Sequence, residues 1–372
     1  MKIFKLTDVY QQIPKLLIRG KFDFEFELLP YLAKGISHGK AANFFVAGLN
    51  QYLTPARPLG YPVIAQVEPA NYCNLKCPLC LTSTVTKSRN PALLSFEAFQ
   101  RFIDECGDYL LHLIFWNWGE PFLNPNLFRM IAYAKRKGII VHTSTNGNVP
   151  LDEAQTEALV DSGLDSLVVA VDGATQETYE KYRLGGRLDV VLSNIKKIVR
   201  IRSRKGSASP VMNMRFVVMR HNESEIPQAR ILAQKLGVDY FSLKSVDMHP
   251  ERGRELDKSY APKNTHYRRY EYDKNTFERK QIPFVCMRPW KRVTLDATGE
   301  VIPCEYDYLN KHSFGNINQM GALEAWKSSG SMDFRKDFNL GDNHYYLCRN
   351  CTYKNSVLND CTVERQIIGK MK

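Results

Sequence analysis

Apolar residues follow two alternating patterns between residues 61 and 246. Short, largely apolar runs, such as those at 61–68 and 164–171, have the length and composition of buried strands. Between these runs, apolar positions recur every three or four residues, which is typical of amphipathic helices. Six such strand–helix steps follow one another at intervals of about 25–40 residues. This alternation predicts an α/β fold with parallel strands, and six steps predict an incomplete barrel rather than a closed eight-fold one.

The segments on either side of this region have different patterns. Residues 1–60 form an N-terminal extension with two amphipathic patterns, at 6–20 and 41–53, that predict helices. Residues 247–285 are charged, rich in tyrosine and weakly periodic, and we interpret them as a linker or bridging segment. Residues 286–372 contain short strand patterns and are predicted to form a separate small domain. The domain boundaries are therefore predicted at 1–60, 61–246, 247–285 and 286–372.

Length and charge narrow the class of protein. A chain of 372 residues suits two or three domains, and none of its apolar runs reaches the length of a membrane-spanning helix. The N-terminus lacks a signal-peptide pattern, so the sequence predicts a cytoplasmic protein. The net charge is +12 but scattered rather than striped, so no nucleic-acid partner is expected. The basic, amphipathic extension leaves a peripheral membrane contact through residues 1–60 open, although a helical cap on the barrel is favoured.

Three cysteines lie close together in one loop, at Cys73, Cys77 and Cys80. Three thiolates on a [4Fe-4S] cluster leave one iron that a small molecule can chelate. A zinc knuckle would need a fourth ligand, and the nearest downstream candidates, Cys106 and His112, are too far away for a compact finger. The spacing therefore predicts a cluster with an open iron, and hence an enzyme.

This loop resembles that of the radical S-adenosylmethionine (SAM) superfamily, although Leu79 stands where an aromatic residue is common. The resemblance implies a partial (β/α)6 TIM-like barrel. It implies that SAM chelates the open iron and is cleaved to a 5'-deoxyadenosyl radical, which abstracts hydrogen from the substrate. It also implies a reductant such as flavodoxin or ferredoxin.

Further motifs follow the predicted strands, at the edge of the sheet where parallel barrels carry their active sites. The Trp118–Pro121 run resembles the superfamily's GGEP element, with Trp118 replacing the first glycine. The 144–147 run resembles its TNG element, and residues 170–183 resemble a segment of the cluster-rich subgroup, with Ala170 in place of a serine. The residues implied to bind SAM are Glu120, Ser144, Asn146, Asp172 and Arg183. An ordinary turn at Glu120 and a surface position for Arg183 are the alternatives.

Five of the nine cysteines lie in the last 87 residues. Their surroundings resemble SPASM and twitch domains, which hold auxiliary iron–sulfur clusters. A full SPASM domain has about seven cysteines, so one auxiliary [4Fe-4S] cluster is implied here. Its favoured ligands are Cys286, Cys304, Cys348 and Cys351. Cys361 is the alternative ligand or, if unliganded, a hydrogen donor to the substrate, and a zinc ribbon built from the same residues is the alternative to a cluster.

These features predict a radical SAM oxidoreductase or epimerase. The favoured substrate is a small polar metabolite, such as a sugar or a phosphorylated or lipid-linked compound. The extension shows no winged-helix pattern of a peptide-binding module, which counts against the second hypothesis, a peptide- or protein-modifying maturase. The third hypothesis is an iron–sulfur electron carrier without catalytic activity, which would need no SAM pocket.

Overall fold

The computed structural model describes residues 15–83, 89–249, 254–282, 284–341, 344–349, 351–356 and 361–369. The described residues belong to two compact units, each made of three stretches of chain. The first unit takes its residues from Met1–Tyr72, Ser88–His142 and Val285–Arg349. The second unit takes its residues from Cys73–Lys87, Thr143–Phe284 and Asn350–Lys372.

The N-terminal extension is partly helical and partly a β-hairpin. Its elements are α1 (residues 15–19), β1 (Lys21–Phe26), β2 (Leu29–Lys34), α2 (His38–Gly48) and α3 (Asn50–Leu53). The helix predicted at 41–53 is present as α2 and α3. The first part of the helix predicted at 6–20 lies outside the described residues. The antiparallel hairpin of β1 and β2 was not predicted.

Six strands form the parallel part of the fold, at the six apolar runs in which strands were predicted. They are β3 (Ile64–Val67), β4 (His112–Ile114), β5 (Ile140–Thr145), β6 (Ser166–Ala170), β7 (Val211–Val218) and β8 (Tyr240–Ser245). In the first unit β3 pairs with β4 and β4 with β5, and in the second β6 pairs with β7 and β7 with β8, all in parallel. The boundary between the units falls inside β5. The predicted α/β partial barrel is confirmed.

Helices follow these strands. They are α4 (Phe96–Cys106), α5 (Leu127–Arg136), α6 (Glu153–Asp161), α7 (Gln176–Glu180), α8 (Leu188–Arg204) and α9 (Ile226–Leu236). Three of these helices, α4, α6 and α7, begin at side-chain caps. Ser95 accepts the Ala98 N–H at the start of α4, and Asp152 forms a capping box with Gln155 at the start of α6. Cys106 is completely buried in the core, as its place in the helical pattern predicted.

The remainder of the chain adds short elements. They are α10 (Arg254–Tyr260), α11 (Arg288–Lys291), β9 (Arg292–Leu295), β10 (Glu300–Ile302), β11 (Gly315–Asn316), α12 (Ala322–Trp326), α13 (Ser329–Leu340), α14 (Tyr346–Arg349) and β12 (Thr362–Ile367). In the first unit β9 pairs in parallel with β3 and continues into an antiparallel ribbon with β10 and β11. In the second unit β12 pairs antiparallel with β8. Within the part of the chain that the structure describes, no helix is long and apolar enough to span a bilayer.

Candidate active site

The three-cysteine loop is held by hydrogen bonds within the second unit. Cys77 is buried, whereas Cys73 and Cys80 are half-buried. Ser83 Oγ donates to the carbonyl oxygens of Cys77 at 2.5 Å and Cys80 at 2.9 Å. The Lys76 N–H donates to the Leu184 carbonyl at 3.1 Å. These bonds fix the backbone and therefore restrict the directions of the three thiols.

Asn146 contacts this loop from the end of β5. Its Nδ2 donates to Cys73 Sγ at 3.4 Å and to Asn74 Oδ1 at 2.9 Å. Asn74 Nδ2 in turn donates to the Asn148 carbonyl, and Asn148 Nδ2 donates to Tyr179 Oη. The structure therefore brings one predicted SAM-binding residue, Asn146, into contact with one predicted cluster ligand. Ser144, also on β5, is half-buried.

Arg183 and Asp172 form a buried ion pair next to the same loop. The guanidinium lies 2.6 Å from Asp172 Oδ2, and its Nη1 lies 3.9 Å from Cys77 Sγ. Burial alone would lower the pKa of Arg183, but the negative charges of Asp172 and Cys77 outweigh it and raise that pKa. Burial raises the pKa of the Cys77 thiol, which the positive charge of Arg183 opposes. The Arg183 side chain thus favours a thiolate at a buried sulfur.

Glu120 lies in the first unit, and its loop packs closely against the chain before Cys73. The Glu120 N–H donates to the Tyr72 carbonyl at 2.9 Å, and its Oε1 accepts the Phe122 N–H at 3.1 Å. A Cβ at Gly119 would lie 1.9 Å from the Ala70 carbonyl oxygen, so only glycine fits at this position. The glycine of this motif, Gly119, is therefore required by a close backbone approach.

The C-terminal cysteines are divided between the two units. Cys286, Cys304 and Cys348 belong to the first, and Cys351 and Cys361 to the second. Burial raises the pKa of the Cys304 thiol, and nearby Arg288 opposes this rise. The Cys361 carbonyl accepts two hydrogen bonds from Ser245, through its N–H at 2.8 Å and its Oγ at 3.1 Å.

The donor atoms around Cys73, Cys77 and Cys80 fit an iron–sulfur cluster. Three thiols in one loop, with amide and guanidinium donors directed at two of the sulfurs, favour a group that binds thiolates. Among the described residues, no three Cys, His, Asp or Glu side chains converge on a position for one metal ion. Thiolates that ligate a cluster bind different irons, and the three thiols of this loop fit such a group.

Sequence reasoning missed a buried charge triad in the first unit. Arg89 Nη2 pairs with Glu68 Oε2 at 2.7 Å and with Asp296 Oδ2 at 3.0 Å, at the ends of β3 and β9. Burial raises the pKa of Glu68, although Arg89 opposes this. Glu68 Oε1 also accepts the Trp118 N–H at 3.3 Å. A carboxylate directly after a buried strand was the signal that could have identified Glu68.

Two family models match this chain. The model described as the radical SAM superfamily matches residues 67–230. The SPASM model, described as an iron–sulfur cluster-binding domain, matches residues 286–352. The first match runs from the last residue of β3 into α9, and the second includes four of the five C-terminal cysteines, Cys286, Cys304, Cys348 and Cys351.

Curated relatives and solved structures agree with these matches. The PqqA peptide cyclase of Gluconobacter oxydans is 25% identical over 290 residues, 72% of this chain and 77% of that protein. A tungsten-containing aldehyde ferredoxin oxidoreductase cofactor-modifying protein of Pyrococcus furiosus is 24% identical over 317 residues, 78% of this chain and 87% of that protein. The structure of Streptococcus suis SuiB bound to precursor peptide SuiA is similar in fold, with a TM-score of 0.57, 14% identity, and coverage of 87% of this chain and 76% of that one.

These comparisons overturn one prediction and support another. The expectation of a small polar metabolite as substrate and partner is wrong, because several relatives that match more than two thirds of this chain are PqqA peptide cyclases. The missing winged-helix pattern in residues 1–60 was a poor guide to the substrate class. The sequence pattern of the same segment also failed to predict the β1–β2 hairpin. The expected cofactors are confirmed: the radical SAM domain implies a [4Fe-4S] cluster and SAM, and the SPASM domain implies auxiliary cluster binding. The chain therefore contains a radical SAM domain at residues 67–230 and, C-terminal to it, a SPASM domain at residues 286–352.

Proposed function

We propose that this radical SAM enzyme modifies a peptide or a peptide segment of a protein. The observation that carries the proposal is the similarity to PqqA peptide cyclases, which extends over 290 residues in one case and 329 in another. Both alignments are much longer than the radical SAM match at 67–230, so they include sequence beyond the domain common to the whole superfamily.

In this proposal Cys73, Cys77 and Cys80 ligate the first cluster. When bound to that cluster, SAM supplies the 5'-deoxyadenosyl radical that takes a hydrogen atom from the substrate. Asn146 and Arg183 stabilise negative charge on the thiolates of Cys73 and Cys77 through the contacts described above. The other groups that contact SAM are Glu120, Ser144 and Asp172, and Asp172 also fixes the direction of the Arg183 guanidinium.

The auxiliary cluster is ligated by Cys286, Cys304, Cys348 and Cys351, with Cys361 as the alternative ligand or hydrogen donor. When bound, this cluster supplies an acceptor for one electron. With both groups bound, the chemistry that they would supply is the removal of one hydrogen atom, one electron and one proton from the peptide. The overall reaction is a two-electron oxidation in which the peptide loses two hydrogens.

An anaerobic assay with matched variants tests this function. The enzyme is reconstituted with iron and sulfide and mixed with SAM, a chemical reductant and short peptides encoded next to its gene. We expect 5'-deoxyadenosine and a peptide lighter by two hydrogens from the wild type. Cys106→Ala is the control and should give the same products, since Cys106, at the end of α4, is buried in the hydrophobic core and is not a proposed cluster ligand. Cys77→Ala should give neither product. A peptide of unchanged mass with inverted stereochemistry would contradict the oxidation, and 5'-deoxyadenosine formed without change to any peptide would contradict the substrate class.

A further inference from the structure

Trp118 connects two loops of the first unit that carry proposed cofactor residues. It directly precedes the Gly119–Glu120 step. Its indole Nε1–H donates to the Glu305 carbonyl at 2.6 Å, and Glu305 directly follows Cys304. The indole also packs edge-on against Tyr306 and Tyr308, with ring centroids 6.0 and 6.4 Å apart.

Glu305 is in turn the residue that joins the segments around two proposed auxiliary ligands. Its carboxylate pairs with Arg288 at 3.1 Å and, more closely, with Arg292. All three side chains are less than one-fifth exposed. Arg288 lies two residues after Cys286, and Glu305 directly follows Cys304. The ion pair between Arg288 and Glu305 therefore connects the Cys286 segment to the Cys304 segment. A bond to the Glu305 backbone therefore acts on the position of both cysteines.

Two further contacts fix the backbone from which the Trp118 side chain extends. Its N–H is bound to the Glu68 carboxylate, which the Arg89 guanidinium holds in place. The next residue, Gly119, lies too close to Ala70 to move inward, because even a Cβ there would meet the Ala70 carbonyl at 1.9 Å. On this fixed backbone the indole is held by its own hydrogen bond to Glu305 and by its ring contacts with Tyr306 and Tyr308.

We propose that Trp118 is a positioning residue that holds the Cys286 and Cys304 segments in place for the auxiliary cluster. This inference rests on the proposed ligand set and is independent of the substrate. Hydrogen bonds and solvent exclusion around cluster ligands set the reduction potential of a cluster. Trp118, which stands where the superfamily has a glycine, therefore affects the reduction potential of the auxiliary cluster from the loop that carries Glu120.

Trp118→Phe tests the proposal because it keeps an aromatic ring and removes the indole N–H. Trp326→Phe is the matched control, since Trp326 Nε1 has no hydrogen-bond partner among the described residues. Both variants and the wild type are reconstituted anaerobically and titrated by EPR, with and without SAM. We expect Trp118→Phe to shift the midpoint potential of the cluster whose signal does not respond to SAM, and to leave the SAM-responsive cluster unchanged. Potentials equal to those of the wild type and Trp326→Phe would overturn the proposal.

Hydrogen exchange on the protein before reconstitution gives a second, cluster-independent readout. Without the bond from Trp118, amides of residues 304–307 should exchange several-fold faster, while those of α12 should not. If the amides of residues 304–307 exchange at the same rate in Trp118→Phe and in the wild type, the proposal is overturned, even for a protein that binds only one cluster. A wild type that binds a single cluster would contradict the ligand set of the proposed function, and the exchange data would still decide the role of Trp118.

Discussion

Arg183 and Asp172 are joined by two contacts to one oxygen, since Nε and Nη2 of the guanidinium both lie 2.6 Å from Asp172 Oδ2. The other carboxylate oxygen accepts the Val217 N–H of β7 at 2.7 Å. The Asp172 side chain is fully buried. The pair therefore links the end of β6 to the end of β7 and presents the guanidinium to the sulfur of Cys77.

Arg183→Ala should destabilise the protein strongly, because it leaves the Asp172 carboxylate buried without its cation. Breaking a buried ion pair costs about 3–5 kcal/mol, and we expect a loss of that size in the free energy of unfolding by urea. SAM affinity of the reconstituted enzyme should also fall. The control is Arg187→Ala, whose partner Asp189 is as exposed as Arg187 itself, and which should unfold like the wild type. Equal losses in the two variants would contradict the role of the pair.

Asn146→Ala should lower the midpoint potential of the SAM-binding cluster. The amide donates to Cys73 Sγ, and such a bond stabilises the more negative, reduced cluster. A hydrogen bond worth about 1 kcal/mol corresponds to roughly 40 mV for a one-electron couple. EPR-monitored redox titration measures the shift. Asn43→Ala, which removes an amide bond to the Tyr61 carbonyl in the first unit, is the control and should leave the potential unchanged. A shift of Asn146→Ala toward higher potential would refute the assignment.

Gly119→Ala should disrupt the Glu120 loop, because the added methyl meets backbone that has no room to move. Overpacking of this kind costs about 1–3 kcal/mol, and SAM binding should be lost with it. Gly48→Ala is the control, since a Cβ at Gly48 meets nothing within 4 Å. Thermal unfolding and SAM titration of the two variants measure the difference. A Gly119→Ala protein that binds SAM like Gly48→Ala would show that the close approach to Ala70 is unimportant.

Lys40 should make stability depend on pH in the alkaline range. Burial lowers its pKa to about 8, although Asp108 opposes this, whereas the unfolded chain keeps the ordinary pKa of about 10.4. Between these values the unfolded state binds more protons than the folded state, so stability rises with pH. From pH 8 to 10 the gain is no more than about 3 kcal/mol, and Lys40→Met should lack it. Urea unfolding at pH 7 to 10 tests this, and a difference between the two proteins that stays constant with pH would contradict it.

The parallel strands were predictable because buried strands such as β6 are marked by local apolar runs. The hairpin of β1 and β2 was not, although its first strand alternates in sequence. Its turn residues, Glu27 and Leu28, have positive φ of 51° and 60°, and neither is a glycine or asparagine that would signal a hairpin turn. Long-range contacts stabilise it instead, among them the bond of 2.6 Å between Tyr31 Oη and His142 Nδ1.

The site was predictable only where its signal is local. The spacing of Cys73, Cys77 and Cys80 can be identified in eight residues of sequence, and it predicted an open-iron cluster. The bond between Trp118 and Glu305 joins residues 187 positions apart, and no periodicity or motif indicates such a pair. The substrate class was predicted wrongly for the same reason, since no local pattern in the chain indicates what the radical attacks.

The proposed function requires that the 5'-deoxyadenosyl radical take a hydrogen atom from a peptide. The most direct test mixes the reconstituted enzyme and SAM with a candidate peptide whose side chains are fully deuterated, and measures deuterium in 5'-deoxyadenosine by mass spectrometry. We predict that 5'-deoxyadenosine gains deuterium, that its formation depends on the peptide, and that Cys77→Ala forms none. If 5'-deoxyadenosine forms at the same rate without peptide and gains no deuterium from any peptide encoded beside the gene, the account is contradicted.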